Sequence, residues 1–404
     1  MPEERMLSCM VLIRGYHFMR KKGLLFAGSF LILFSTCFAG CKVNNEVVLK
    51  KALNKKFLIG VAMNTPQIIG QDLLSDKLIV KHFNSVVAEN CMKSEIIQPI
   101  EGEFDFFLAD QFVSFGEKHR MVIIGHTLIW HSQAPKWFFV DDKGNQVSRE
   151  VLIERMKKHI TTVVNRYKGR VRGWDVVNEA INDDGSWRES PFYKIIGKEY
   201  VKLAFQFAHE ADPKAELYYN DFSMAKEGRR TGVVKMIKEL QVEGVHVAAI
   251  GMQGHFTMDY PFLDEEEKSI VTFSELGTKV MITELDLTII PFPTKVVGAD
   301  VGMKFAYDPV LNPYPKGMPD SVATKWNKRL GDFFKLFIKH SDVISRVTVW
   351  GLTDNQTWRN DWPIKGRSDY PLLFDRNFNP KPIVEAIIKE ATKYVVLRMS
   401  GITR

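Results

Sequence analysis

Cysteine is scarce: the chain has four in 404 residues, and two of them, Cys9 and Cys37, fall in the first forty. Only Cys41 and Cys91 lie beyond, so no disulfide framework is expected and the fold must rest on an apolar core. The 45% of apolar residues is enough to supply one. Past residue 40 no segment reaches the roughly 18 apolar residues that a membrane-spanning helix needs. A strong charge of one sign is also missing. The formal +7 includes five Lys/Arg against two Glu in residues 1–40, which leaves about +4 on the remainder. That excess is too small and too scattered to point to nucleic acid. No linker or low-complexity stretch divides the chain. The segment "GHTLIWH" offers His126 and His131, but at i,i+5 and with no adjoining third ligand, so metal catalysis is disfavoured. No cofactor is expected, and the chain is expected to act as a monomer.

What is present begins with a leader. Arg20, Lys21 and Lys22 precede "GLLFAGSFLILFSTCFAG", the charged-then-apolar order of an export signal, and Met19 is a plausible start for it. The run ends in "FAGC", small residues before Cys41 that resemble the lipobox of bacterial lipoproteins. Lipidation of Cys41 would anchor the mature chain to the bacterial envelope, with residues 41–56 as a tether. An ordinary secretory signal cut nearby, or an uncleaved anchor, is the alternative.

Beyond the tether, short apolar strands alternate with helical patterns, as repeated βα units do. The strand candidates are "FLIGVAMN" (57–64), "FNSVVAEN" (83–90), "MVIIGHTLIW" (121–130), "VRGWDVVNEA" (171–180), "AELYYND" (215–221), "HVAAIGMQGH" (246–255), "KVMITELDL" (279–287) and "RVTVWGL" (346–352). Between them, stretches such as "VLIERMKKHITTVVNRYKG" and "RLGDFFKLFIKHSD" carry apolar residues at three- and four-residue spacing. Eight such units predict one α/β domain, a closed (β/α)8 TIM barrel over residues 57–404. Its main irregularity is a long Pro/Gly/Asp-rich loop at 289–320, after the seventh strand.

Nearly every predicted strand ends in a polar or aromatic group: Asn64, Glu89–Asn90, His126, Asn178–Glu179, Asn220–Asp221, His255, Glu284 and Trp350. A lone Asn or His among these reads best as a cap or a satisfied core residue. Eight at the C-terminal face of a barrel point instead to one cleft. Glu179 and Glu284 end strands on different sides of the ring, an arrangement suited to acid/base work and nucleophilic attack at an anomeric carbon. Burial near a second carboxylate should raise the pKa of one of them, and hydrogen-bond donors should keep the other ionised. His255 is the expected donor to Glu284, with Asp286 supporting it.

The motifs "AENCMK" (88–93), "GHTLIWHSQ" (125–133), "WDVVNEA" (174–180), "YND" (219–221), "GMQGH" (251–255), "ITELD" (282–286) and "VWGLTDNQTW" (349–358) stand in order, each at a strand end. In this the sequence resembles glycoside hydrolase family 10, the endo-1,4-β-xylanases, from about Phe57 to the C-terminal helix. The resemblance implies a retaining mechanism, with Glu179 as general acid/base and Glu284 as nucleophile. It implies that Asn178 bonds the 2-hydroxyl of the sugar at the cleavage point, with His126, Gln253 and His255 around that sugar. Glu89, Asn90 and Lys93 would hold the next sugar on the non-reducing side, and Trp130 and Gln133 would line the same region. Trp350 and Trp358 would wall the glycone, with core tryptophans as the alternative, and Asn220 would lie at the cleft side. Xylan and xylo-oligosaccharides are then the expected partners. The 289–320 loop would reshape the aglycone side, bind branched chains, or be decoration.

Two rivals follow from the same residues. A cellulase or mixed-linkage glucanase of the same clan would share the barrel and both glutamates, though "QGH" and "ENCMK" favour the xylanase. A non-catalytic surface protein that captures xylan would need the aromatic cleft but not both carboxylates.

Overall fold

The computed structural model of the chain describes residues 48–293 and 302–399, with side chains to residue 393. The leader, Cys41 and residues 294–301 of the long loop lie outside the described residues. Strands form at β1 (Leu58–Met63), β2 (Ser85–Ala88), β3 (Val122–Trp130), β4 (Gly173–Asn178), β5 (Glu216–Asp221), β6 (Ala249–Met252), β7 (His255–Thr257), β8 (Lys279–Thr288) and β9 (Ile344–Val349). Their cores are Val/Ile-rich and buried along almost their whole length, as strands covered on both faces must be. All pair in parallel. β1 bonds both β2 and β9, and β6 bonds β8, so eight of the strands close a (β/α)8 barrel.

The ninth strand comes from dividing the sixth predicted one. Gly254 sits at φ +83°, where an added Cβ would meet the Ile282 side chain at 2.8 Å. Only glycine fits there without strain. The chain turns at that residue, and β7 runs on beside the outer half of β8, pairing His255 with Asp286.

Helices return between the strands and shield them. Arg149–Arg166 is typical: Ser148 caps it by accepting from the Val151 amide, and Leu152, Met156, Ile160 and Val163 bury one stripe. Asp320–Lys339 does the same with Trp326, Leu330, Phe333 and Phe337. Inside the barrel a smaller cluster, including Ala62, Val87, Ile124, Tyr218 and Met281, fills the axis up to Trp350.

The boundary of the tether differs from expectation. Residues 49–52 form a short helix whose Leu49, with Leu53 just after it, is fully buried and which packs against Pro382–Met399. Its leucines leave water by joining the core, so residues 48–56 belong to the folded body.

Candidate active site

The C-terminal ends of the strands open into one cleft of about 930 Å³, lined among others by Glu89, Asn90, Lys93, His126, Trp130, Gln133, Asn178, Glu179, Gln253, His255, Glu284, Trp350 and Trp358. Strand register brings these side chains together. His126 lies opposite Asp175, and Asn178 lies beside both Trp130 and Asn220. Glu179 follows directly on β4 with φ +62°, a left-handed backbone that a non-glycine residue adopts at some cost.

The two glutamates sit in opposed environments. Glu179 accepts from the Trp130 indole N–H at 2.8 Å and from Gln253 Nε2 at 2.9 Å. Burial pushes its carboxyl up to about 7, the Asp221 carboxylate adds to the rise, and the two donors only partly offset it. Glu284 is equally buried, and burial pushes it upward as well. His255 Nε2 at 3.2 Å and Asn220 Nδ2 at 2.8 Å outweigh that and hold it below the ordinary carboxylate value. An amide bridge joins the pair: Asn220 Nδ2 and Gln253 Nε2 both donate to Asn178 Oδ1, at 3.0 and 3.3 Å.

His255 works against its own burial. Asp286 lies 3.0 Å from Nδ1, and Asp286 together with Glu284 raises the imidazole to about 9. Asp286 in turn takes Arg359 at 2.7 Å and the Trp358 indole N–H at 2.9 Å. Although burial opposes it, Arg359 and His255 hold its carboxyl at about 2. Thus a charged relay, Arg359–Asp286–His255, keeps a cation on Glu284 and fixes Trp358 beside it.

On the other wall, Lys93 donates to Asn90 Oδ1 at 2.8 Å and Gln133 Oε1 at 2.7 Å, and lies 4.9 Å from the Trp130 ring centre. Burial lowers its pKa, with Glu89 the largest opposing influence. Trp350 packs edge-on to His126, whose Nδ1 is 2.9 Å from Asp175 Oδ2.

Three expectations need revision. Asn220 is fully buried beneath the cleft floor, with Thr283 Oγ1 donating to its Oδ1 at 2.6 Å, so it props Glu284 and Asn178 instead of lining the cleft. Asn64 is the N-cap of the Thr65–Ile68 helix, in a reciprocal box with Gln67. Asp221, the last residue of β5, is spent in a buried ion pair with Arg229. In the long loop, Phe292 packs edge-on to Trp362, Phe305 N donates to Pro363 O, and Arg367 donates to Pro291 O. Its described parts therefore stand against the Trp358 wall, the side the resemblance gives to the glycone.

Sequence reasoning missed Asp175, Thr283, Arg359 and Trp362. Asp175 carried a signal, a carboxyl inside an apolar strand. So did Trp362, four residues from Trp358, whose ring it stacks on at 4.9 Å. Among the described residues no group of three or more side chains is placed to hold a metal ion.

A parallel barrel with two buried carboxyls of opposite proton affinity in an aromatic-walled cleft defines a barrel glycoside hydrolase. Residues 48–390 match glycosyl hydrolase family 10, and the chain belongs to that family. It is 50% identical to endo-1,4-beta-xylanase A of Xylanibacter ruminicola over 85% of this chain and 94% of that one. It is 40% identical to an endo-1,4-beta-xylanase of Geobacillus stearothermophilus over 83% and 96%. Among solved structures, a GH10 endoxylanase retrieved from a sugarcane soil metagenome superposes with a TM-score of 0.81 at 45% identity, covering 84% of this chain and 99% of that one. A mutant structure in complex with xylotriose superposes with a TM-score of 0.76 at 33% identity, covering 85% and 99%.

Proposed function

We propose that the chain is a retaining endo-1,4-β-xylanase that cleaves internal linkages of xylan by double displacement. The observation that carries this reading is the split between the carboxyls: Glu179 is raised to about 7 and Glu284 is depressed, within one cleft. Glu284, ionised, attacks the anomeric carbon while Glu179 gives its proton to the departing oxygen. Glu179 then takes a proton from water, and that water releases the sugar from Glu284. Asn178, held by Asn220 and Gln253, is oriented toward the 2-hydroxyl, and His126 and His255 flank the same ring. Glu89, Asn90, Lys93 and Gln133 bind the next sugar on the non-reducing side, with Trp130 beside them. Trp350 and Trp358 face the glycone rings. Trp358, fixed by Asp286 and stacked on Trp362, leaves a flat, immobile wall that suits a ring without an exocyclic hydroxymethyl. The xylanase relatives support the same substrate.

Hydrolysis of xylan against carboxymethyl-cellulose tests the substrate, and preference for the cellulose would refute it. Proton NMR of the first product tests the stereochemistry, with the β-anomer expected. Glu284→Ala should lose about 10⁴-fold or more in turnover while still binding xylo-oligosaccharides; wild-type rates would remove Glu284 from its role.

The leader supports a second element of the reading. Cys41, lipidated after cleavage, anchors the enzyme to the bacterial envelope. Mass spectrometry of the mature N-terminus tests this: a diacylglyceryl cysteine is expected, and an unmodified terminus refutes it.

A further inference from the structure

The segment after β4 has two faces. On one, Asp183 lines the cleft with Lys226 and Phe222. On the other, its neighbour Asn182 opens into a separate cavity of about 490 Å³, together with Ser186, Trp187, Tyr193, Lys235 and Glu239. That volume lies within the usual range for small-ligand sites. The two aromatic rings stack nearly parallel, 5.9 Å between centres at 15°. The segment is pinned in place. Ile181 and Trp187 bridge as a miniature antiparallel pair, and Asn182 Nδ2 donates to Ser186 Oγ at 3.0 Å and Trp187 O at 3.2 Å.

We propose that this cavity is a second, non-hydrolytic binding site for a β-1,4-linked xylan chain. The inference rests on the xylan reading of the cleft. Its chemistry selects an uncharged, polyhydroxylated ligand with flat ring faces. Glu239 and Glu189 are each paired with a lysine, Lys198 at 2.8 Å and Lys194 at 3.7 Å, and Lys235 shares the lining, so the wall carries no excess charge to hold an ion, while an acyl chain would be set against Asn182 and Ser186. A pyranose ring offers an apolar face to the Trp187–Tyr193 pair and hydroxyls to Asn182 Oδ1, whose Nδ2 is already bonded within the loop, and to Lys235. Because Asn182 and Asp183 are consecutive, a polymer held here is held beside the Asp183–Lys226 end of the cleft. The gain is in effective concentration of polymer, and short soluble substrates do not share in it.

The test compares Trp187→Ala with the wild type in two measurements: turnover of a short soluble xylo-oligosaccharide, and retention on insoluble xylan. Turnover is expected to stay within about twofold, while the dissociation constant on insoluble xylan rises about fivefold or more, the scale of one lost aromatic contact. Unchanged retention overturns the proposal. So does a parallel loss of both activities, which would make Trp187 a support for the cleft. The double variant Lys235→Ala/Glu239→Gln repeats the measurement from the helix wall, away from the loop, and weaker retention with unchanged turnover is again expected. If the wild type fails to hydrolyse xylan at all, it is the reading of the cleft that falls.

Discussion

Glu179 and Glu284 carry the same functional group, and only their neighbours distinguish them. With Glu284 ionised well into acid and Glu179 protonated up to about 7, kcat/KM should fall on the alkaline side as Glu179 loses its proton. The acid limb should lie below the ordinary carboxylate value of 4.5. The Trp130 N–H stabilises the charged form of Glu179, so Trp130→Phe should move the alkaline limb upward. A pH–rate profile of the two proteins checks the sign, and a downward shift would detach that limb from Glu179. At this scale the sequence was legible where a carboxyl ended an apolar run. It was not legible for Asn220, because strand alternation does not say whether an inward side chain reaches the cleft or stops one layer beneath it. Arg359 was hidden for another reason: it meets Asp286 across 73 residues of chain, a distance no local pattern spans.

The element that most directly seats Glu179 is the segment after β4, whose Arg188 Nε donates to the Glu179 carbonyl at 2.8 Å. It lies backbone to backbone on the helix Glu227–Val242. A Cβ added at Gly232 would meet the Gly185 carbonyl at 2.5 Å, and one at Gly228 the Asp183 carbonyl at the same distance. Backbone atoms cannot turn aside as a flexible side chain does. Gly232→Ala should therefore displace the segment and cost about 1–3 kcal/mol, read as a lower melting temperature. A lower kcat should accompany it, because Arg188 moves with the segment. The strands themselves were legible from their Val/Ile runs. The division of the sixth was not, since a glycine inside a strand pattern marks a bulge, a bend or a close approach without choosing among them.

For the whole molecule, closure of the barrel brings the first and last helices together, Leu49–Ala52 against Pro382–Met399. The fully buried Leu49 and Leu53 each contribute about 1.5–3 kcal/mol. A chain beginning at Phe57 should thus be about 3–6 kcal/mol less stable than one beginning at Glu46. Urea titration of the two measures this, and equal midpoints would contradict it. The eight-fold alternation made the barrel readable from end to end. The true edge of the folded body was not, because "LKKALNKK" is too short and too basic to announce two core leucines.

The left-handed backbone at Glu179 reaches beyond its own residue. Along a strand, successive side chains face opposite ways, so Asn178 and Glu179 would ordinarily look to different sides of the sheet. With φ at +62° they come together, Asn178 Nδ2 lying 3.4 Å from Glu179 Oε1. The enzyme thus trades sturdiness for reactivity at a single peptide, about 1–2 kcal/mol. Asparagine tolerates that conformation better than glutamate. Glu179→Asn should therefore yield a protein that no longer turns over xylan yet melts at a higher temperature than the living enzyme, and calorimetry of the two would expose the trade.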